Sequence, residues 1–216
     1  MLRELGKQNS ILNRFMAEMR DINIQKDSMR FRRNLERVGE IFAYEISKEL
    51  NYETVNVQTP LGIADIPLYK DKLVLSVILR AGLPLHQGML NYFDNAENAF
   101  ISAYRKYGKD NKFSIQIEHV SCPSIEKKVL VICDPMLATG SSIALVYDVL
   151  LKKGAPLHTH IVAPIASREG VDYILEHMFP EDVTLWVGAI DEELTLKSYI
   201  IPGLGDAGDL AYGSKI

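Results

Sequence analysis

The residues best suited to chemistry lie in VLVICDPMLATGSSI, Val129 to Ile143. An apolar run, Val129 to Cys133, leads directly into Asp134, and a Thr-Gly-Ser-Ser turn, Thr139 to Ser142, opens a stretch with helical apolar spacing. A turn of small residues exposes backbone N–H groups, and a helix N-terminus adds partial positive charge. Such a turn can hold a phosphate through its amides and the hydroxyls of Thr139, Ser141 and Ser142. Asp134, at the carboxyl end of a buried strand, is placed to hold sugar hydroxyls. Thr-Gly-Ser-Ser alone would read better as an ordinary turn with serine capping; the apolar strand and Asp134 upstream tip the reading toward a ligand.

Two further stretches carry suitable residues. In ILRAGLPLHQGM, Ile78 to Met89, Arg80 and Gly82 follow an apolar strand, which suits a loop that brings backbone and guanidinium close to a pyrophosphate. In YIIPGLGDAGDLAYG, Tyr199 to Gly213, the grouping of Pro202, Gly203, Gly205 and Gly208 predicts an extended loop whose backbone closely approaches a ligand or another segment. The five histidines have no metal-ligand spacing, so no protein-built metal site is expected.

The run Asp134, Pro135, Met136, Leu137, Ala138, Thr139, Gly140, Ser141, Ser142 resembles the phosphoribosyl-pyrophosphate signature of the type I phosphoribosyltransferases. The Asp-Pro opening, in place of two acidic residues, resembles the uracil phosphoribosyltransferase family, as do the stretches at 78–89 and 199–213. The resemblance implies transfer of the 5-phosphoribosyl group to uracil, giving UMP and pyrophosphate. It implies Mg²⁺ bound mainly through the donor, and donor contacts from all nine signature residues, Arg80, Arg105 and Asp206. Asp134 and Arg105 are the implied catalytic residues, with Arg105, in AYRK after a strand, steadying the leaving pyrophosphate. Uracil recognition falls to Ile200, Gly205, Asp206 and Ala207. GTP is a candidate effector, and a homodimer or a tetramer of dimers is the expected assembly. Three positions depart from the family pattern: Leu210 where arginine is usual, Gln87 where aspartate is usual, and Ser167 to Gly170, SREG.

The elements that must position these residues are legible from periodicity. Apolar residues at helical spacing from Ser10 to Leu50 predict two opening helices, with the basic cluster Arg30, Arg32, Arg33 and Arg37 between them. That cluster reads as a solvated or ion-paired helix face. Short apolar runs at Leu73–Leu79, Ala99–Tyr104, Phe113–His119, Val129–Cys133, His160–Pro164 and Val183–Ala189 predict strands, the third of them a half-exposed strand or hairpin arm. A helix carrying Ile143, Val146, Val149 and Leu150 should end near Lys153 and Gly154. Alternating strands and helices give an α/β fold. With the resemblance, this becomes a central parallel sheet flanked by helices, with N-terminal helices over about 10–50 and a C-terminal base-recognition hood over 199–213, all in a single domain of 1–216.

At 216 residues and 47% hydrophobic composition the chain can bury a full core, and a net charge of −4 gives no global drive toward nucleic acid or anionic membrane. The two cysteines, Cys122 and Cys133, are not expected to pair. No segment reads as a signal sequence or membrane span, so a cytoplasmic location is expected. Two rival functions are a phosphoribosyltransferase for another base, and a nucleotide-responsive RNA-binding protein of the same fold. The basic cluster around Arg30 is the only support for the second.

Overall fold

The computed structural model describes residues 1–107, 113–178 and 182–214, excluding the side chains of 104–107 and 113–115. In chain order the elements are β1 (Leu2–Glu4), α1 (Ile11–Arg20), α2 (Ser28–Ser47), β2 (Tyr52–Thr59), β3 (Gly62–Tyr69), β4 (Leu73–Leu79), α3 (Leu83–Tyr92), β5 (Glu97–Tyr107) and β6 (Phe113–Ser121). They continue as β7 (Val129–Cys133), β8 (Met136–Leu137), α4 (Ser141–Leu151), β9 (His158–Ser167), α5 (Arg168–His177), β10 (Val183–Asp191), β11 (Glu193–Leu194), β12 (Ile200–Ile201) and α6 (Ala207–Tyr212).

The main sheet runs β1-β10-β9-β7-β4-β5-β6, parallel except for the antiparallel β5–β6 pair, and β8 adds to β9. The period-two side-chain rule divides the core between its faces. Leu73, Leu75, Val129, Val131 and Cys133 pack with α1, α2 and α3 on one side. Val74, Leu130 and Ile132 pack with Ile143, Val146 and Leu150 of α4 and Val171 and Ile174 of α5 on the other. Strands covered on both faces must be apolar throughout, which is why Val129–Cys133 reads as a continuous hydrophobic run.

From β4 the chain crosses to β5 and β6 on one side, then returns to place β7 on the other side of β4. The strand order therefore switches between β4 and β7, where α/β sheets open a crevice at their carboxyl ends.

The α/β fold, the opening helices and all six expected strands are present. Several boundaries differ. β5 continues to Tyr107 because β6 pairs with it from Ser121 to Phe113, so Arg105 lies within β5, opposite Ile115, rather than after it. The basic cluster lies on α2 rather than between the helices, because Asp27 caps α2 by accepting the Arg30 N–H at 3.1 Å. Arg30 pairs with Glu18 at 2.9 Å, Arg33 with Glu36 at 2.8 Å, and Arg32 donates to the Ala211 carbonyl at 2.6 Å. Arg37 donates to Asn34 and lies over the Phe15 ring. The cluster is thus committed to intramolecular contacts. Arg30 beside Glu18, with Asn34 also donating, holds the Glu18 carboxyl down at about 2.

The β2–β3 hairpin, with Leu61, Ile63 and Leu68 exposed, and the edge strand β1 extend the expected set of elements. Cys133 is buried, Cys122 is partly exposed, and both are free. Among the described residues no helix is long and apolar enough to cross a membrane.

Candidate functional site

Val77 and Cys133 are register partners on β4 and β7, so the two strands deliver Arg80 and Asp134 from neighbouring carboxyl ends. Between them opens a cavity of about 510 Å³. One wall carries Asp134, Pro135, Met136, Ala138 and Ser142; the other carries Tyr199, Gly205, Asp206, Ala207, Gly208 and Asp209, with Arg80 at the rim. Residues separated by more than half the chain meet there.

The Asp134 amide donates to Val162 on β9 at 3.1 Å, fixing the backbone as it leaves β7, and Asp134 Oδ1 accepts from the Met136 amide at 3.3 Å. Met136 and Leu137 rejoin the sheet as β8, opposite Ile165 and Ala166. Gly140 then caps α4 with φ of 80°, and a β-carbon there would lie 2.6 Å from Tyr173 Cδ1, so both conformation and space call for glycine. Thr139 and Gly140 line a small recess of about 30 Å³ beside the main cavity, together with Asp134 and Ser142. Thr139 Oγ1 and Ser141 Oγ lie 3.0 Å apart. Ser141 and Ser142 begin α4, so the hydroxyls gather at a helix N-terminus, as anion binding requires.

The SREG departure buttresses this turn. Ser167 Oγ donates to the Ala138 carbonyl at 2.5 Å and accepts the Gly170 amide at 2.9 Å, so one buried hydroxyl both caps α5 and holds the turn that leads into α4.

The stretch 199–213, expected as an extended loop, is only partly that. Asp206 accepts the Asp209 amide at 3.0 Å and caps α6, because Asp-Ala-Gly-Asp is a helix-starting pattern. Ile200 is buried, with its side chain in the core alongside Leu204 and Ala207. Ile200 is not among the residues that line the cavity, whereas Gly205, Asp206 and Ala207 are. The Thr195 amide donates to the Tyr199 carbonyl at 2.8 Å, and the Tyr199 amide donates back to Thr195 Oγ1 at 3.0 Å. By antiparallel alternation the next pair, Leu194 and Ile200, is a non-bonded one, and the Ile200 N–H and C=O point away from β11.

Arg80 donates to the Gly213 carbonyl at 3.1 Å and lies 3.5 Å from Asp209, so it links the β4 rim to the end of α6. Leu137 is buried, and only its backbone can face a ligand. The side chain of Arg105 lies outside the described residues. Tyr199, Gly208 and Asp209 line the cavity although the expected site residues did not include them. All three lie within the glycine-rich stretch, and their exposure depends on α6 and β12. Gln87 is exposed and donates to Asn91 at 2.8 Å, while Leu210 packs against the core.

Burial, and then the Asp134 charge, push the Cys133 thiol up, so it is no nucleophile despite its place beside the site. Among the described residues no group of three or more His, Cys, Asp or Glu could hold a metal. The carboxylates that line the cavity are Asp134, Asp206 and Asp209.

The parallel sheet, its crevice between β4 and β7 and the turn at the start of α4 define a phosphoribosyltransferase of the type I fold. A hypoxanthine phosphoribosyltransferase from Staphylococcus aureus shares that fold, with a TM-score of 0.50 and 13% identity over 87% of this chain and 84% of that one. The family model for uracil phosphoribosyltransferase matches residues 7–214. A uracil phosphoribosyltransferase of Porphyromonas gingivalis is 58% identical over 212 residues, 98% of each chain. Another, from Pyrococcus furiosus, is 39% identical over 204 residues, 93% of this chain and 85% of that one. A solved structure of an Aquifex aeolicus protein superposes with a TM-score of 0.88 at 32% identity over 100% of both chains. The chain belongs to the uracil phosphoribosyltransferase family.

Proposed function

We propose that the cavity between β4, β7 and α6 binds phosphoribosyl pyrophosphate and uracil and joins them to give UMP and pyrophosphate, a step of pyrimidine salvage. The observation that carries this reading is the meeting of two unlike walls. One has a carboxylate beside a hydroxyl-rich helix N-terminus, and the other presents glycine-rich backbone. The first suits a phosphorylated sugar, and the second suits a small base read by amides and carbonyls.

In this assignment the turn 139–142 holds the 5′-phosphate, and Asp134 accepts hydrogen bonds from the ribose hydroxyls. As the C1′–O bond breaks, positive charge grows on the ribose and negative charge on the departing pyrophosphate. Asp134 stabilises the first, while Arg80 and Arg105 stabilise the second. Arg80 must exchange its Gly213 and Asp209 contacts for the donor. Asp134 and Asp206 would help to hold a Mg²⁺ brought in with the donor, which would supply charge neutralisation for the leaving group. The backbone at Ile200 and Gly205–Ala207 holds uracil with N1 facing C1′, which supplies the orientation term. No protein nucleophile is required. For loss of the N1 proton, Asp206 is the group assigned by location.

An assembly built from dimers is supported by the apolar surface of the β2–β3 hairpin, and sedimentation tests it. GTP as an effector rests on family membership, and a GTP titration of activity tests it. A cytoplasmic location fits an enzyme whose substrates are phosphorylated metabolites. The deciding experiment for the reaction is formation of UMP from labelled uracil, phosphoribosyl pyrophosphate and Mg²⁺. Product with hypoxanthine or cytosine, and none with uracil, would assign another base.

A further inference from the structure

We infer that Arg20 and Asp191 form a clamp that positions the base-recognition loop, making both positioning residues for uracil although neither lines the cavity. Arg20 closes α1 and Asp191 closes β10, and they meet as a bidentate ion pair, Nη1 to Oδ2 at 2.8 Å and Nη2 to Oδ1 at 3.0 Å. The pair grips a single residue of the loop from both sides. The Gly203 amide donates to Asp191 Oδ2 at 2.9 Å, and Arg20 Nη1 donates to the Gly203 carbonyl at 3.3 Å.

Gly203 lies between the two parts of the loop assigned to uracil, Ile200 before it and Gly205–Ala207 after it. Its φ of 53° and the Ile200 carbonyl, 2.2 Å from where a β-carbon would stand, show how tightly the chain turns there. Holding both polar groups of that one residue therefore fixes the direction of the backbone on either side. Ile200 and Leu204, both buried, hold the same turn through apolar contact, but packing alone tolerates small rotations that hydrogen bonding to a base does not. Asp191 is buried and the Arg20 side chain is only 23% exposed, so water competes weakly for the pair. Arginine is suited to this role because its planar fork can bind both carboxylate oxygens and still donate to a carbonyl.

The inference rests on the assignment of Ile200 and Gly205–Ala207 to uracil. That assignment is tested separately, by uracil use in the wild-type enzyme. The clamp is tested in Arg20→Ala, Arg20→Lys, Asp191→Asn and the Arg20→Ala/Asp191→Asn double variant. KM is measured for each substrate with the other saturating, alongside the thermal midpoint.

Loosening the loop should raise the KM for uracil by about tenfold and the donor KM by much less, about two- to threefold, since Asp206 is the one loop residue also assigned to the donor and the turn at 139–142 is held by other residues. Arg20→Lys should recover part of the loss. The double variant should be scarcely worse than the worse single variant, as expected of groups acting as a unit. An unchanged uracil KM in Arg20→Ala would overturn the clamp. So would equal rises in both KM values, or a lower kcat and thermal midpoint with both KM values unchanged, because these mark general support of the fold. If Asp191→Asn or Arg20→Ala fails to fold, Arg20→Lys decides the matter, since it keeps a cation beside the buried Asp191 carboxylate while losing the fork that reaches Gly203.

Discussion

Ser167 and Asp191 are register partners at the carboxyl ends of β9 and β10, and each gives its side chain to a different wall of the cavity. Ser167 holds the turn before α4 at Ala138, and Asp191 holds the glycine-rich loop at Gly203. Two neighbouring strand ends, packed into one sheet, thus set the distance between the two walls of the cavity.

Replacing Ser167 with alanine removes both the α5 cap and the bond to Ala138. A loss of about 1 to 2 kcal/mol in unfolding free energy is expected, with a raised donor KM and a uracil KM changed little. Urea unfolding and substrate titrations measure the two effects. An unaltered donor KM would show that the phosphate turn holds its shape without this hydroxyl.

Asp134→Asn should keep the fold, because the Asp134 backbone rather than its side chain joins β9. Losing a charge-assisted hydrogen bond that acts in the transition state costs roughly 1.5 to 3 kcal/mol, or about ten- to a hundredfold in turnover. Steady-state rates beside circular dichroism make the comparison, and full turnover in a folded variant would remove Asp134 from the chemistry.

Uracil and cytosine have nearly the same shape, so discrimination between them must come from hydrogen bonding. A backbone site that answers uracil O4 and N3–H with an N–H and a C=O sets donor against donor and acceptor against acceptor when cytosine enters. Two such mismatches at about 1 to 3 kcal/mol each imply a preference on the order of a thousandfold in kcat/KM. Because backbone atoms would do the reading, Ala207→Gly should preserve the preference. Equal kcat/KM values for the two bases would refute the recognition loop.

His160 is buried, and Trp186 Nε1 donates to its Nδ1 at 3.0 Å, a bond only the unprotonated nitrogen can accept. Burial, with the neighbouring His158 adding to it, pushes His160 down to about 3. A histidine whose folded value is lowered contributes stability that is complete above its unfolded value, about 6.5, and fades as pH falls from there toward the folded value. His86 and His158, also lowered by burial, act in the same direction. Unfolding free energy should therefore decline below about pH 6.5, at up to about 1.4 kcal/mol per pH unit for each such group. Glu18 adds its own loss as pH falls from 4.5 toward about 2. His160→Phe should flatten the upper part of this profile; a slope identical to wild type would mean that His160 takes up its proton as readily in the folded protein as in the unfolded chain.

The sequence by itself determined the central strands, the opening helices and the signature at 134–142. Each of these is written locally: Val129–Cys133 is apolar throughout because both faces are covered, and Asp134 follows it immediately. The reach of β5 past Arg105 was decided by the partner strand β6, since pairing can extend a strand beyond its apolar run. Asp206 showed its acidity in the sequence, but only the helix beginning after it made one of its oxygens a cap. The partnership of Arg20, Asp191 and Gly203 was invisible because its members are 171 and 183 positions from Arg20 along the chain. No local pattern encodes which surface arginine will reach which strand end. Only packing α1 against β10 brings their ends together, and that is a property of the assembled core rather than of any one segment.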